Sequence, residues 1–389
     1  MQTSTKNIAL LSLSQGLLLT QGVSMVAVTG LVGRAIAPDP GMATIPLTAY
    51  VIGGAISTLP AAFFMRRFGR RAGFSLGALL GCTGALLCAL AVANAGFLLL
   101  CFGAALCGGY NAFGQQYRFA AADAATPTLK SRAISFTLAG GILGGVFGPW
   151  ASTHTRHLME PAYLGTYLSL AAIALVALAI ISRLDIPPLS AAQRSHSGRP
   201  LGEIARQPAF LLAVLAAAAG YGIMNLLMTA TPLAMDLCTH SYADTALVLE
   251  WHVIGMFAPS FFTGSLIKRF GVLTIIGLGT ALVAASIGAV LAGDSVMHFW
   301  WGLFLLGIGW NFMFIGGTTL LTETYTPEEK AKAQGTNDFA VFAVQGISSL
   351  SSGILISRHG WETLNLYALP VVALTALMTL AYAWKHRTA

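Results

Sequence analysis

The stretch AAFFMRRFGRRAG (61–73) has a partner 202 residues further along the chain, TGSLIKRFGVLTI (263–275). In both, an apolar run stops at two basic residues, an aromatic and a glycine: Met65-Arg66-Arg67-Phe68-Gly69 and Ile267-Lys268-Arg269-Phe270-Gly271. Val51-Ile52-Gly53 and Val253-Ile254-Gly255 keep the same offset. Gly109-Tyr110-Asn111 matches Gly309-Trp310-Asn311 at an offset of 200, as does Thr126-Pro127 with Lys130 against Thr326-Pro327 with Lys330. Agreement at so many points means that one half of the chain repeats the other in the same order.

Composition says what is repeated. Of 389 residues, 56% are hydrophobic and only 9% charged, against about 25% charged in a soluble domain. The chain therefore reads as an all-α integral membrane protein in contact with the lipid bilayer. A membrane-crossing helix needs about 20 apolar residues. Twelve such runs are expected, near 8–33, 43–65, 73–95, 97–121, 131–153, 162–183, 210–235, 243–267, 272–292, 298–322, 333–357 and 361–384. Ala35-Ile36-Ala37 has the form of a leader cleavage site, but the run before it is too long for a leader and its flank too poor in charge; it reads as the first span. With the N-terminus inside, eighteen of the 21 Lys and Arg face the cytoplasm and only Arg34, Arg156 and Arg358 face out. By the positive-inside rule both termini are cytoplasmic, and a bacterial inner membrane is the expected location. The net charge of +7 follows from that bias and signals no nucleic acid. No phosphate-binding Gly-x-x-x-x-Gly-Lys-Ser/Thr, nucleophile–base pairing or zinc-ligand cluster is present, so neither an ATP pump nor an enzyme is expected.

Two six-helix halves in parallel repeat resemble the major facilitator superfamily. The resemblance implies halves at 1–183 and 208–389, joined by the polar linker 184–207, and a substrate held near the membrane midplane. The turn after the second span resembles that superfamily's signature loop, Gly-x-x-x-Asp-Arg-x-Gly-Arg-Arg: Arg67, Gly69, Arg70 and Arg71 match, whereas Ala62 and Arg66 depart from it. Gly144-x-x-x-Gly148-Pro149 matches half of the antiporter motif. The ladder Gly140/Gly144/Gly148 is read here as close helix packing.

Several side chains in the spans could meet a substrate. Met224-x-x-x-Met228 and His252-x-x-x-Met256 each set two side chains on one helix face. At 1.5 Å per residue from the cytoplasmic ends, Met224 and His252 both lie about 21 Å up and Met256 about 15 Å. Thioether and imidazole suit copper, and such a site needs no resident cofactor. Cys238, beside His240 at the outer end of the seventh span, could hand a soft ion inward. Gln21, Asn111, Gln115, Asn225 and Asn311 are candidate cavity-lining amides, with interhelical hydrogen bonding as the alternative, and Tyr110 and Trp310 are aromatic candidates. Cys82, Cys88, Cys101 and Cys107 read as small packing residues, with a thiol pair as the alternative. Glu250 and His252 are candidate proton carriers, with Glu250 solvated and silent near the outer interface as the alternative. Asp338 is expected to pair with Arg66, Arg67, Arg70 or Arg71 as a gate, with service to its helix N-terminus as the alternative.

The Met and His motifs resemble the CcoA-type (CalT) copper importers, bacterial members of the same superfamily that supply copper for cytochrome oxidase assembly. The resemblance implies copper import by a monomeric secondary transporter, with Met224, Met228, His252 and Met256 as ligands and Cys238 as relay. Ala216 and Gly220 stand where family members carry further cysteines. The wider group includes riboflavin carriers, so the alternative substrate is an organic solute, riboflavin-like or a drug.

Overall fold

Gly69 and Gly271, the glycines of the repeated basic turns, have φ of 89° and 87°. A side chain would strain either backbone, which is why each turn keeps glycine. Each ends one helix and starts the next. Gly69 N–H donates to the Met65 carbonyl at 2.8 Å, between α2 (Ile45–Phe68) and α3 (Arg70–Ala93). Gly271 N–H donates to Ile267 at 2.9 Å, between α12 (Ser260–Phe270) and α13 (Val272–Leu291). The duplicated sequence thus makes a duplicated local structure.

The computed structural model describes residues 2–39, 42–186 and 198–387; linker residues 187–197 of the sequence reading lie outside them. Before the linker come α1 (Gln2–Ile36), α2, α3, α4 (Phe97–Gly114), α5 (Tyr117–Ala124), α6 (Lys130–Ala139), α7 (Gly141–Thr155) and α8 (Leu164–Ile181). After it come α9 (Leu201–Ala205), α10 (Pro208–Leu237), α11 (Tyr242–Phe257), α12, α13, α14 (Val296–Leu321) and α15 (Lys330–Arg387). Among the described residues, ten helices are long and apolar enough to cross a membrane, and α11 with α12 forms an eleventh span bent by 42°. The bend has a local cause: Pro259 has no N–H to offer and its ring would crowd the Gly255 carbonyl. α15 is two spans joined at Gly360, whose φ of 78° and ψ of 173° are not helical. A single helix of that length would run about 85 Å against a hydrocarbon core of about 30 Å. The fold is the twelve-span, all-α architecture.

Small residues let the helices close. A Cβ on Gly140 would lie 2.0 Å from the Ser12 carbonyl oxygen, one on Gly144 2.3 Å from Leu19 Cβ, and one on Gly148 2.9 Å from Val23 Cβ. The glycine ladder is therefore the face that seats this span on α1. By contacts the chain sorts into two compact units: Met1–Ala124, Gly140–Gly198 and Thr326–Phe339 form the first, and Ala125–Ala139, Arg199–Tyr325 and Ala340–Ala389 the second. The start of α15 thus packs within the first unit and α6 within the second.

Candidate functional site

In the second unit, α10 and α11 each pack along α14, and touch one another far less. Met224 on α10 is buried and Met228 half-buried. His252 on α11 is wholly buried, with its Nδ1 2.6 Å from the Leu303 carbonyl of α14. A carbonyl only accepts, so Nδ1 carries the proton and Nε2 is left as a bare acceptor. Among the described residues Nε2 has no hydrogen-bond partner. The approach is tight: a Cβ on Gly307 would fall 2.6 Å from the His252 carbonyl and 2.9 Å from the Met256 nitrogen. Met256 itself is buried one turn along.

Cys238 caps α10, half-buried, and burial, with Asp294 beside it, raises its thiol pKa. His240 donates from Nε2 to the Asp294 carbonyl at 2.6 Å. Among the described residues no three His, Cys, Asp or Glu side chains gather as a metal-holding group.

Asn311 of α14 is wholly buried and engaged at the Pro259 break. Its amide donates to the Met256 carbonyl and to Ser260 Oγ, both at 2.6 Å, and its Oδ1 accepts from Thr263 Oγ1 at 2.7 Å. Asn225 donates to the Gln345 carbonyl at 3.0 Å. The neighbouring residues form an aromatic group that the sequence reading found only in Trp310. Tyr221 and Phe257 stand nearly perpendicular to the Trp310 ring, with centroids 5.1 and 5.7 Å away, and Phe314 stacks on it at 5.2 Å. Tyr221 lies one turn before Met224 and Phe257 directly follows Met256, so that proximity was the signal available.

In the first unit, Gln21 is buried and donates to the Gly81 carbonyl at 3.3 Å and to Cys107 Sγ at 3.5 Å. Cys82, Cys88 and Cys107 belong to the apolar core between α3, α4 and α8, and all five cysteines are free thiols. Gln115 donates to Asn111 at 3.4 Å and accepts from Arg118 Nη1 at 2.7 Å. Asp338 does not take the expected arginines. Its cation is Arg118, at 2.5 Å with both side chains 2% exposed, and its second oxygen accepts from Gln116 at 2.5 Å. Arg70 reaches Asp338 only through Gln116 (2.8 Å), and also holds Gln334 (2.6 Å) and Asp123 (3.2 Å). Lys330 closes the set on Asp123 at 2.7 Å. Arg67 lies over the Phe68 ring, 5.2 Å from its centroid. The reason is reach: α5 carries Arg118 to the Asp338 carboxylate, whereas Arg70 of the signature loop reaches it through Gln116.

The sequence profile described as "Major Facilitator Superfamily" matches residues 11–250 and 239–389. The chain belongs to that superfamily. It is 44% identical over 372 residues to the riboflavin transporter RfnT of Brucella anthropi, covering 95% of this chain and 94% of that one. Among solved structures, it resembles the proton:xylose symporter XylE (TM-score 0.77, 16% identity, 97% of this chain and 95% of that one). It also resembles a bacterial homologue of the iron transporter ferroportin (TM-score 0.75, 15% identity, 97% and 99%). One of these is described as a sugar symporter and the other as a homologue of an iron transporter, so the shared architecture carries no information about cargo.

Proposed function

We propose that this major facilitator protein is a secondary transporter of an organic solute, riboflavin or a close relative, working by alternating access. The observation that carries the reading is the 44% identity, end to end, to the riboflavin transporter of Brucella anthropi. The aromatic group around Trp310 is consistent with a flat conjugated cargo. The bias of Lys and Arg supports a bacterial inner membrane with both termini cytoplasmic. The test is riboflavin rescue of an auxotroph whose own importer is deleted. Growth at low riboflavin with this chain, and uptake of labelled vitamin, is the expected result; no uptake in well-expressing cells overturns the reading.

Copper import is the second reading, and one observation favours it: the unpartnered Nε2 of His252, a lone pair facing a dry interior one turn from Met256. Against it, His252 shares no metal-holding group with the cysteines or acids among the described residues. The two readings separate cleanly. The double variant Met224→Leu/Met228→Leu keeps apolar volume while removing sulfur. A copper carrier loses copper accumulation and oxidase activity with it, whereas a riboflavin carrier retains most of its uptake.

A further inference from the structure

The repeat pairs Tyr110 with Trp310, but the two rings have different surroundings. Tyr110 is seated in a notch of α3, where a Cβ on Gly77 would lie 3.5 Å from its ring and one on Gly81 2.4 Å. It fills a helix seam. In the second unit the mate of Gly77 is Gly279, but the mate of Gly81 is Val283. The Val283 side chain fills the notch: its Cγ2 is 2.7 Å from where a Cβ on Gly309 would lie. Trp310 sits instead against α10 and α11, among Tyr221, Phe257 and Phe314.

The Trp310 indole is 1% exposed, and its Nε1 has no hydrogen-bond partner among the described residues. A buried donor left unmade is costly, and a phenylalanine would fill the same aromatic group without that cost. A tryptophan has one thing that phenylalanine lacks, an N–H for an acceptor supplied from outside the chain. The surrounding rings restrict the ligand further. Tyr221 is the half-exposed member of the group and the other three are buried, so a ligand reaches Trp310 past the Tyr221 edge. Aromatic faces and edges select a flat conjugated ring system, and the indole selects one with a carbonyl on its rim.

We propose that Trp310, with Tyr221 at its edge, forms the ring-binding subsite of the transporter. The rings hold the plane of a fused heteroaromatic cargo and the Trp310 N–H donates to a carbonyl on its rim. This rests on the riboflavin reading, because riboflavin supplies both the plane and the carbonyls. Phe257 and Phe314 act as walls. Val283 is a positioning residue that keeps Trp310 out of the seam occupied by its mate in the first unit.

The test uses the purified full-length chain, riboflavin, and two readouts. In the first, quenching of riboflavin fluorescence gives affinity. Trp310→Phe, which keeps a ring and removes the donor, weakens binding about 3- to 10-fold, the span of one hydrogen bond, and Tyr221→Leu weakens it as well. In the second, the protein carries nitrogen-15-labelled tryptophan at its seven Trp positions. The indole signal missing from Trp310→Phe moves downfield when riboflavin is added, a change that a packing role does not produce. If the wild type binds no riboflavin, the transport reading fails and this proposal with it. If the wild type binds riboflavin, an unmoved Trp310 signal overturns the donor while the transport reading stands. Full-strength binding by Tyr221→Leu overturns the ring subsite in the same way, and does so even if Trp310→Phe fails to fold.

Discussion

Arg118 and Asp338 form an ion pair 220 residues apart in sequence and 2% exposed on each side. A buried pair adds little net stability, but breaking it leaves a lone charge in a dry interior. Asp338→Asn is therefore expected to cost about 3–5 kcal/mol, read as a lower thermal midpoint in detergent. Arg118→Met with Asp338→Leu removes both charges and should recover much of that loss; a double-variant loss equal to the sum of the losses in Arg118→Met and Asp338→Leu alone would show that the pair is not coupled. Asn311→Ala tests the other buried polar centre. It strips the Met256 carbonyl, Ser260 and Thr263 of their partner at the Pro259 bend. An expected cost of about 1–3 kcal/mol follows from the orphaned carbonyl alone; Asn311→Asp, which only accepts, loses the bond to the Met256 carbonyl while keeping the one from Thr263 and taking one from the Ser260 hydroxyl. Asp338 was legible as a lone acid in an apolar run. Its partner was not, because nothing in the linear order brings the start of α15 to α5, and Arg118 was only one basic residue among eighteen on its side. Trp310 was legible as a repeat mate; the glycine-to-valine change that sets it apart from Tyr110 lies on another helix.

Among the helices, the apolar runs located the spans, because a bilayer imposes a length that sequence states directly. The breaks were less legible. Pro259 lay inside one expected span, and its consequence, a 42° bend, depends on which groups absorb the freed carbonyls. Glycines also look alike in sequence and differ in what surrounds them. Gly140→Ala drives a methyl into the Ser12 carbonyl and is expected to cost about 1–3 kcal/mol, the scale of overpacking. Gly288 lies in the last turn of α13, with nothing among the described residues within 4 Å of an added Cβ. There alanine should be neutral or stabilise by about 0.5–1 kcal/mol. Gly271 has equal space but a φ of 87°, so Gly271→Ala isolates backbone strain at about 1–3 kcal/mol. Thermal midpoints should be highest for Gly288→Ala, at or above the wild type, and lower for the other two variants. A destabilised Gly288→Ala would mean that the open face is covered in the membrane.

Orientation in the membrane belongs to the chain in its entirety, and Cys238 can report it. Eighteen of 21 Lys and Arg on one side supports N-in, C-in insertion, which puts the C-terminal end of α10, and Cys238 with it, outside. The thiol is half-buried and its pKa is raised, first by burial and then by Asp294. The sign matters for the assay. Maleimides attack the thiolate, and a raised pKa leaves less thiolate at neutral pH than a free cysteine has. Labelling by a membrane-impermeant maleimide in intact cells should therefore be slow near pH 7. It should climb by about tenfold per pH unit toward the alkaline side, as thiolate forms. Cys82, Cys88, Cys101 and Cys107 are replaced by alanine so that Cys238 is the sole thiol. Gly202→Cys, added to a Cys238→Ala background, supplies the opposite face: Gly202 is exposed, with nothing among the described residues within 4 Å of an added Cβ, and lies on the basic side. The thiol introduced there should react only after the cells are permeabilised. If the outcomes are reversed, so that the Gly202→Cys variant is labelled in intact cells while Cys238 is not, the chain is inserted the other way.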